Sequence, residues 1–463
     1  MRRAALVLLG AGLLVAGVLW WLKFEKHPPQ ASLVGPIEAL GRKTPIDIDL
    51  RSDAQGLRSV TVRLQAGGNA YDLLSEAYPK TGWRGSGITE KRLHIEPDLL
   101  ALKVPEGPVT LEVLADTYAW HPFGTKTTPR LTAPATVDLT PPRIELLTTQ
   151  HNVRLGGVEL AVFRQSPDTV RSGIEVEKYF FPAVTGYFAD KGVALAFFAI
   201  PQDLNADVHP RLIASDAAGN HRDIALPCTI KPRTFAEREL SIDDAFLARK
   251  VPEIEEASGL PIATDLLQGY LHINGDLRRQ NEARIHDLTK TSAPAPQWSG
   301  SFHRQSNAAP LSAFADRRTY TYKGQPIDHQ THLGYDLASL KLSPVEAAQA
   351  GQVVFADNLG IYGNTVILDH GLGIFSLYGH LSSFAVQAGD RVTVGQTLGQ
   401  TGETGLAGGD HLHFSILLFG VHVDPVEWWD PHWLHDHVNP KLTMFPQAAT
   451  RAEPEHTNEQ NKP

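Results

Sequence analysis

The residues of this sequence best suited to chemistry are four histidines and one aspartate between positions 332 and 413. They are His332 and Asp336 in the segment THLGYD, His380 in YGHL, and His411 and His413 in DHLHF. Imidazole nitrogens and carboxylate oxygens are ligands that Zn²⁺ accepts, and a catalytic zinc site keeps three protein ligands and leaves a fourth position for water. His332, Asp336 and His413 could supply such a set.

The spacing of these residues makes demands on the backbone. On a strand, side chains two apart point to the same face, so His411 and His413 would project together while the residue between them points to the buried side. His332 and Asp336 are too far apart to share a metal on a straight strand, which rises roughly 3.3 Å per residue. We therefore expect Gly334 to bend the chain between them. Each histidine alone is more typical of an ordinary core or surface histidine, and only the combination favours a metal site.

Three longer segments around these residues resemble the catalytic domain of lysostaphin-type (LytM-like) zinc metallopeptidases, which cut peptidoglycan. In chain order they read HLGYDLA, GQVVFADNLGIYGNTVILDHGLGIFSLYGHLSSFAVQAGDRVTVGQTLGQTGETG and DHLHFSILLFGVHVDP. The resemblance implies an all-β domain with a duplicated hybrid motif over residues 300–435. It also implies one Zn²⁺ ion bound by His332, Asp336 and His413, with His380 and His411 as the catalytic pair.

Two positions depart from the family pattern. Asp410 stands where the family often has proline before HLH, and Ser415 stands where it often has glutamate after HF. Neither is a ligand position, so the departures bear on substrate preference more than on activity.

The resemblance implies metal-assisted hydrolysis of peptide cross-links or stem peptides of peptidoglycan. Zinc lowers the pKa of a water ligand from near 16 toward roughly 7, and a neighbouring histidine can take its proton and later return one to the leaving amine. We expect His411 to be the general base and His380 to bond the water or the oxyanion, with the reverse assignment open. Tyr320 or Tyr322 is predicted to stabilise the oxyanion. The bond that is cut stays open; a D,D bond is the expectation for an anchored enzyme of a two-membrane bacterium.

Two other functions compete with this prediction. Residues 388–396, AGDRVTVGQ, also resemble half of a barrel-sandwich hybrid, as in periplasmic adaptor proteins of export systems. Those adaptors have long coiled-coil hairpins, and their function does not require the five site residues to occur together. The second alternative is a catalytically inactive relative that binds the wall and regulates another hydrolase, but such relatives typically lack one or more metal ligands. All five positions are filled here.

Composition sets the broad class of this protein. The chain has 463 residues, 42% of them hydrophobic, a formal net charge of -9 and one cysteine, Cys228. This is the composition of a folded protein of several domains, and its mild acidity gives no reason to expect nucleic acid as a partner. A single cysteine excludes an intrachain disulfide and disfavours a thiolate zinc site.

The N-terminus has the pattern of a membrane anchor at residues 1–27. Arg2 and Arg3 precede an uncharged apolar run over residues 4–22, which is long enough to cross a bilayer core of roughly 30 Å. The positive charges favour a cytoplasmic N-terminus, with Trp20 and Trp21 at the far interface. A cleaved signal peptide is the alternative, but these bulky residues do not suit a small-residue cleavage site. The rest of the chain is then expected outside the cytoplasm, in the periplasm of a two-membrane cell.

Between the anchor and residue 300 the patterns indicate non-catalytic modules. Short alternating runs with Gly and Pro punctuation predict two immunoglobulin-like β-sandwiches, at residues 30–138 and 139–232. Residues 233–299 are predicted as a helical linker, in which a capping box at Ser241–Asp244 opens a short helix that stops before Pro252. This linker could cover or position the active-site groove, and a regulatory protein partner stays open. Residues 446–463 are predicted to be a disordered tail.

The C-terminal region carries further histidines at positions 422, 432, 435 and 437, among tryptophans 428, 429 and 433. A second metal site is one interpretation of them. An aromatic closing segment packed on the domain, with exposed histidines, is the interpretation that we favour.

Overall fold

A computed structural model of the chain describes residues 9–18, 28–52, 56–80, 87–119 and 129–448. The prediction of a mainly β protein is confirmed. The chain divides into two compact units. The first comprises residues 1–142, 168–170 and 215–222, and the second comprises residues 143–167, 171–214 and 223–463.

The predicted membrane anchor lies mostly outside the described residues. Of its apolar run, only residues 9–18 are described, and they form a helix, α1. The side chains of Leu9, Leu13 and Leu14 on this helix are exposed. Within the described ranges, no helix combines the length and the apolar character that crossing a bilayer requires.

The first unit contains two antiparallel sheets around one apolar core. Its strands are β1 Gln30–Leu33, β2 Ala39–Leu40, β3 Ile46–Arg51, β4 Leu57–Ala66, β5 Asn69–Ala77, β6 Glu90–Ile95, β7 Gly107–Thr117 and β8 Leu131–Val137. One sheet has the order β1-β3-β6 and the other β2-β8-β7-β4-β5, in which the short β2 runs parallel to β8. Alternate side chains of both sheets, such as Ile48, Val62 and Leu111, are buried in the shared core. The immunoglobulin-like topology stays a prediction.

Another set of short strands follows in the chain, and most of their residues belong to the second unit. They are β9 Ile144–Leu146, β10 Asn152–Arg154, β11 Val158–Gln165, β12 Thr169–Val176, β13 Tyr179–Pro182, β14 Val184–Thr185, β15 Val193–Ala199, β16 Arg211–Asp216, β17 His221–Ala225 and β18 Thr229–Lys231. Two four-stranded sheets, β14-β15-β11-β9 and β13-β12-β16-β17, are accompanied by the parallel pair β10-β18. Strand β15 is buried along its whole length, so both of its faces are covered.

The segment predicted as a helical linker belongs structurally to the C-terminal domain. It contains β19 Glu237–Ile242, α2 Asp244–Ala257, α3 Leu266–His272, a π-helical turn Ile273–Leu277 and α4 Arg278–Leu288. Strand β19 pairs in parallel with β21, Arg317–Tyr322. The buried Lys250 of α2 donates its Nζ–H to the main-chain oxygen of Glu403, and Arg249 forms an ion pair of 2.9 Å with the Glu403 carboxylate. The helices are therefore docked on the loop that follows residue 400.

The predicted boundaries of α2 were wrong at both ends. The N-cap is Asp243, whose carboxylate accepts from the main-chain N–H of Phe246 at 2.7 Å, and the helix continues through Pro252 to Ala257. An internal proline costs a helix about 3 kcal/mol. Burial of Leu247, Val251 and Ile254 on one face offsets this cost, because each buried aliphatic side chain contributes about 1.5–3 kcal/mol.

The C-terminal domain is built on one large antiparallel sheet. Its strands are β20 Ala309–Ser312, β21 Arg317–Tyr322, β22 Gln325–Thr331, β23 Tyr335–Ala338, β24 Pro344–Glu346, β25 Gly351–Asn358, β26 Asn364–Gly371, β27 Ile374–Leu381, β28 Ser383–Phe384, β29 Arg391–Val392, β30 Thr397–Gln400, β31 Leu412–Leu418 and β32 Val421–Val423. The main sheet has the order β20-β23-β31-β27-β26-β25-β29, with β32 beside β31. A small sheet, β24-β30-β28, and the sheet β19-β21-β22 complete the domain.

Short helices close the domain after β32: α5 Pro425–Trp429, α6 Pro431–Trp433, a π turn Leu434–Val438 and α7 Asn439–Leu442. The fully buried Trp428 contacts Trp298, Phe302 and Phe197. Because Phe197 lies on β15, the C-terminal domain and the preceding sheets share one hydrophobic core.

The predicted disorder of the C-terminal tail was wrong at its first residues. Main-chain hydrogen bonds hold residues 446–448 against residues 187–189, including Ala189 N–H to the oxygen of Pro446. Residues 449–463 lie outside the described residues.

One buried carboxyl at this shared core predicts a pH-dependent stability. Glu427 accepts from the main-chain N–H of Val158 at 2.9 Å, and its carboxyl lies so close to Gly157 that a Cβ at that position would overlap it. Burial, and the nearby charge of Asp424, raise the pKa of Glu427 to about 8 from the ordinary 4.5. Between these values the folded chain holds a proton that the unfolded chain has lost, so stability falls as the pH rises toward 8.

We expect Glu427→Gln to remove this loss of stability, since the amide carries no charge at any pH. Relative to wild type, the variant should gain on the order of 3–5 kcal/mol between about pH 5 and pH 9. Thermal unfolding at the two pH values measures the change. An identical pH dependence in both proteins would show that Glu427 ionises normally in the folded chain.

Candidate metal centre

The central strands of the main sheet bring all five sequence-predicted site residues together. Asp336 on β23 and His413 on β31 are direct cross-strand neighbours, and His332 precedes β23. His380 lies at the end of β27, which pairs with the other edge of β31, and His411 immediately precedes β31. All five side chains are buried. Positions 81 residues apart thus meet because β23, β31 and β27 are adjacent.

Three of these residues converge on one point through specific atoms. His332 Nε2 lies 2.9 Å from Asp336 Oδ1, His413 Nδ1 lies 3.0 Å from the same oxygen, and the two nitrogens are 3.0 Å apart. Among the described residues, His332, Asp336 and His413 form a group of three side chains able to hold one metal ion. These are the three residues that the sequence predicted as metal ligands.

The hydrogen bonds behind this group determine which nitrogens carry protons. His332 Nδ1 lies 3.0 Å from the main-chain oxygen of Ala313, and a carbonyl oxygen only accepts, so Nδ1–H is the donor. His413 Nε2–H donates to Ser415 Oγ at 3.1 Å, because that hydroxyl donates its own hydrogen to the main-chain oxygen of Leu333 at 2.7 Å. Each neutral imidazole therefore turns an unprotonated nitrogen toward the carboxylate.

Three lone pairs that face one another at about 3 Å repel unless a cation lies among them, so this donor set fits a divalent metal such as zinc. Burial acts to raise the pKa of Asp336, but its contacts with His332, His411 and His413 hold that pKa well below its usual range. Burial lowers the pKa of His413 to about 4. An ionised carboxylate and a neutral imidazole are the forms in which these side chains bind metal.

The second oxygen of Asp336 is held by residues that the motifs did not reveal. Arg318 donates to Asp336 Oδ2 at 2.9 Å and to Ser312 Oγ at 2.8 Å, and Ser312 donates to Asp316 at 2.7 Å. The carboxylate is thereby oriented with Oδ1 toward the two histidines. Arg318 shares a face of β21 with Tyr320, two positions on, and this alternation is the sequence signal that could have indicated it.

His380 and His411 stand beside the donor group and are both oriented by main-chain carbonyls. His380 Nδ1–H donates to the oxygen of Thr404 at 2.7 Å, and His411 Nδ1–H donates to the oxygen of Gly409 at 2.8 Å. Each leaves Nε2 open, and that of His411 lies 3.5 Å from Asp336 Oδ1. The two rings are 4.9 Å apart. His380 has a φ of 63°, a left-handed conformation that is uncommon for a side-chain-bearing residue.

Electrostatics separate these two histidines. Burial, with the adjacent His411 and His413, lowers the pKa of His380 well below its ordinary value. Burial also acts to lower the pKa of His411, but its contact with Asp336 raises that pKa above the ordinary value.

Gly334 plays a different part from the one predicted. It lies at a bend between the two ligands, but it does not have a left-handed φ. Glycine is required here because there is no room for a side chain: a Cβ at this position would overlap the ring of His413 and the hydroxyl of Ser415.

A cavity of about 750 Å³ opens over the centre. One wall consists of the site histidines and the 3₁₀ turn Gly360–Tyr362, and the other is contributed by residues of the helical segment. Tyr320 lines this cavity. Tyr322 does not, and the hydroxyl of Tyr322 donates to Asp244 instead. Only Tyr320 of the two tyrosines predicted for the oxyanion is placed beside the centre.

A second buried layer behind His413 was missed by sequence reasoning. The ring of Tyr362 lies 5.3 Å from that of His413, and its hydroxyl donates to Glu282 at 2.7 Å. His422 Nε2 contacts the other oxygen of Glu282 at 3.1 Å. Glu282 comes from α4, so no local motif could connect it to the site.

The remaining C-terminal histidines do not gather into a metal site within the described residues. His435 is exposed beside Asp436, and His437 contacts Glu159.

Ser415 is expected to tune metal affinity although it is not a ligand. Ser415→Ala removes the acceptor that fixes the proton on His413 Nε2, and loss of such an outer partner typically costs about 10–100-fold in metal affinity. Competition with a chelator of known zinc affinity measures the change. Ser306→Ala, an exposed serine of the same domain, is the control. Equal affinity in the two variants would mean that Ser415 does not orient the ligand.

Comparison with known proteins assigns the domain to a class. Residues 330–425, which contain all five site residues, match the model of Peptidase family M23. This segment of the chain is therefore similar to M23 peptidase domains.

Three relatives illustrate the similarity. DD-carboxypeptidase/endopeptidase Mpg of Neisseria meningitidis is 35% identical over 149 residues, which are 32% of this chain and 33% of Mpg. Peptidoglycan DD-endopeptidase ShyC of Vibrio cholerae is 35% identical over 114 residues, 25% of this chain and 26% of ShyC. Murein hydrolase activator EnvC of Escherichia coli is 39% identical over 84 residues, 18% of this chain and 20% of EnvC. The chain thus spans about a third or less of the length of these curated relatives.

Proposed function

We propose that this protein is a zinc-dependent endopeptidase that hydrolyses peptide cross-links or stem peptides of peptidoglycan. The observation that carries the proposal is the convergence of His332 Nε2, Asp336 Oδ1 and His413 Nδ1, with their lone pairs facing one point. The family match and the relatives named as peptidoglycan endopeptidases support the substrate.

In the proposed mechanism, a bound zinc ion would polarise the scissile carbonyl and make water nucleophilic near neutral pH. His411 is the general base, because its open Nε2 is close to Asp336 and its ring is fixed by the Gly409 carbonyl. After accepting the proton of the attacking water, it can return one to the leaving amine. His380, held by Thr404, positions the water through its own Nε2. Tyr320 is the remaining candidate to bond the oxyanion.

Arg318 acts indirectly in this mechanism. By holding Asp336 Oδ2 from within the protein, it keeps Oδ1 directed at the donor group. Its role is therefore to position a ligand, and it need not touch the substrate.

The cellular arrangement is part of the proposal. Residues 1–27 would anchor the chain in the cytoplasmic membrane with the N-terminus inside, and the β-rich modules would carry the peptidase domain outward to the wall. The apolar run between Arg3 and Lys23 supports this arrangement. Extraction of membranes at alkaline pH, followed by protease digestion of intact spheroplasts, tests it. A protein released by alkali would exclude the anchor.

A catalytically inactive regulator of another hydrolase is the second candidate, and the similarity to the activator EnvC favours it. The complete donor set and both adjacent histidines favour the enzyme. Digestion of purified sacculi separates the two functions. The purified chain loaded with zinc is expected to release monomeric peptides from cross-linked ones, and the mass of each product identifies the bond.

Intact sacculi after incubation with the zinc-loaded chain would contradict the proposed enzyme. Sacculi that this chain leaves intact alone, but that a second murein hydrolase digests faster when this chain is present, would support the regulator instead.

A further inference from the structure

Arg278 is a cation on the wall of the central cavity that the mechanism does not use. It is the first residue of α4 and directly follows the π turn Ile273–Leu277. It lines the same cavity as His332, His380 and Tyr362, and its side chain is half-buried. π-helical turns are rare and often occur at functional sites, since the extra residue re-aims the side chains that follow.

The guanidinium of Arg278 is held in place by a neutral side chain. Its Nε–H donates to the main-chain oxygen of Asn274 at 3.1 Å, and an Nη2–H donates to Asn274 Oδ1 at 2.6 Å. Asn274 is itself fully buried and donates to Asp328 on β22 at 2.7 Å. An arginine has five N–H donors, and the bonds to Asn274 use two of them. The remaining donors are pre-oriented without neutralising the charge.

The other two arginines of the cavity are already paired. Arg249 forms an ion pair with Glu403, and Arg318 forms one with Asp336. Arg278 has no ion pair with any described carboxylate. Its electrostatic neighbour Glu282 accepts instead from Tyr362 and His422. Of the three cavity arginines, Arg278 alone retains an unmatched charge in the part of the chain that the structure describes.

We propose that Arg278 binds a carboxylate of the substrate peptide and makes the enzyme selective for anionic peptides over their amidated forms. This inference rests on the proposed function. A planar guanidinium with free donors matches a carboxylate in a bidentate manner. Stem peptides carry such groups at the chain terminus and on side chains, and both present the same chemistry.

The contact orients the substrate, because the helical segment supplies this wall while the sheet supplies the metal ligands. A peptide held at one carboxylate by Arg278 would lie across the cavity toward His411. The segment between the β-sandwich and the peptidase motifs is therefore part of the substrate-binding site.

The test uses three synthetic cross-linked dimers of the stem peptide. One has all carboxylates free, one has the terminal carboxylate amidated, and one has the side-chain carboxylates amidated. For the full chain, kcat/KM should be highest with the free dimer and about 10–100-fold lower with the dimer that lacks the recognised carboxylate, as expected for a hydrogen bond between charged groups. The amidated dimer that loses activity identifies which carboxylate is bound.

Arg278→Gln should lower kcat/KM for the free dimer by the same factor, mainly through KM. It should leave kcat/KM unchanged for the dimer in which the recognised carboxylate is amidated. Arg278→Lys should retain part of the preference. Arg279→Gln is the control. The side chain of Arg279 is adjacent in sequence to Arg278 but is 73% exposed, and it pairs with Asp276 outside the cavity lining. If Arg278→Gln slows all three dimers equally, or slows none, the proposal is overturned.

Equilibrium binding separates this inference from the proposed function. Calorimetry of the free dimer with zinc-depleted wild type and Arg278→Gln needs no turnover. Weaker binding by the variant would support carboxylate recognition even if wild type cleaves no dimer, in which case only the enzyme assignment fails. Equal binding, or none by either protein, would overturn the role of Arg278.

Discussion

Replacing Asp336 by alanine is expected to abolish zinc binding and to reduce peptidoglycan hydrolysis by more than about 10³-fold, because both Lewis-acid polarisation and the activated water depend on the metal. Asp336 Oδ1 is the atom that both ligand histidines approach, at 2.9 and 3.0 Å. His332→Ala should have the same effect. Zinc content by mass spectrometry, measured beside the release of soluble peptides, gives both quantities.

This variant also leaves Arg318 without its partner in a buried environment, which destabilises a fold by several kcal/mol. Asp336→Asn is the more informative companion, since its amide oxygen can still accept from Arg318 while the negative charge is lost. Asp357→Ala, an exposed aspartate of the same domain, is the matched control. A folded Asp336→Asn protein that keeps full zinc and full activity would exclude this carboxylate as a ligand.

His380→Ala should keep the zinc and lose about 10²–10⁴-fold in kcat, the range typical of a group that transfers or positions a proton. The side chain is outside the three-atom donor set, and its Nδ1–H is directed away to Thr404. Metal affinity should therefore stay within experimental error of wild type. Single-turnover hydrolysis of a cross-linked dimer and chelator competition separate the two effects.

The conformation of His380 calls for a second substitution. Its φ of 63° is tolerated better by asparagine than by most residues, so His380→Asn preserves the backbone while it removes the imidazole. His435→Ala is the control, because His435 is exposed and pairs with Asp436. Full activity in both His380 variants would remove this residue from the mechanism, and loss of zinc would make it a ligand.

The grouping of His332, Asp336 and His413 could be predicted from the sequence because the motifs that carry them resemble those of a known family. The alternation of a strand placed His411 and His413 on one side, and the resemblance supplied His332 and Asp336 as their partners. The predicted bend at Gly334 was found, but its physical cause is contact with His413 and Ser415, and such a contact depends on the tertiary fold.

The helical side of the site could not be predicted in the same way. Arg278 and Glu282 lie some fifty residues before the first ligand, in a segment whose periodicity indicates only a helix packed on a neighbour. That the neighbour is the candidate metal centre follows from the pairing of β19 with β21 and the docking of Lys250 on the loop at Glu403. The helix through Pro252 shows the same limit, since burial outweighed a local stop signal.

The roles of residues behind the ligands also depend on tertiary contacts. Ser415 is a departure from the family pattern that the chain resembles. Its hydroxyl nevertheless accepts from His413 Nε2–H and so orients the ring of His413. Tyr320 and Tyr322 were equal candidates by sequence. In the structure Tyr320 lines the cavity, whereas the hydroxyl of Tyr322 donates to Asp244.

Anomalous X-ray diffraction from crystals grown with zinc tests the central claim most directly. We predict a single strong anomalous peak from one zinc ion, which lies about 2.0–2.2 Å from His332 Nε2, Asp336 Oδ1 and His413 Nδ1. The fourth coordination position of this ion should face His380 and His411. A zinc ion bound by other side chains, or no peak while these three groups point apart, would contradict the account.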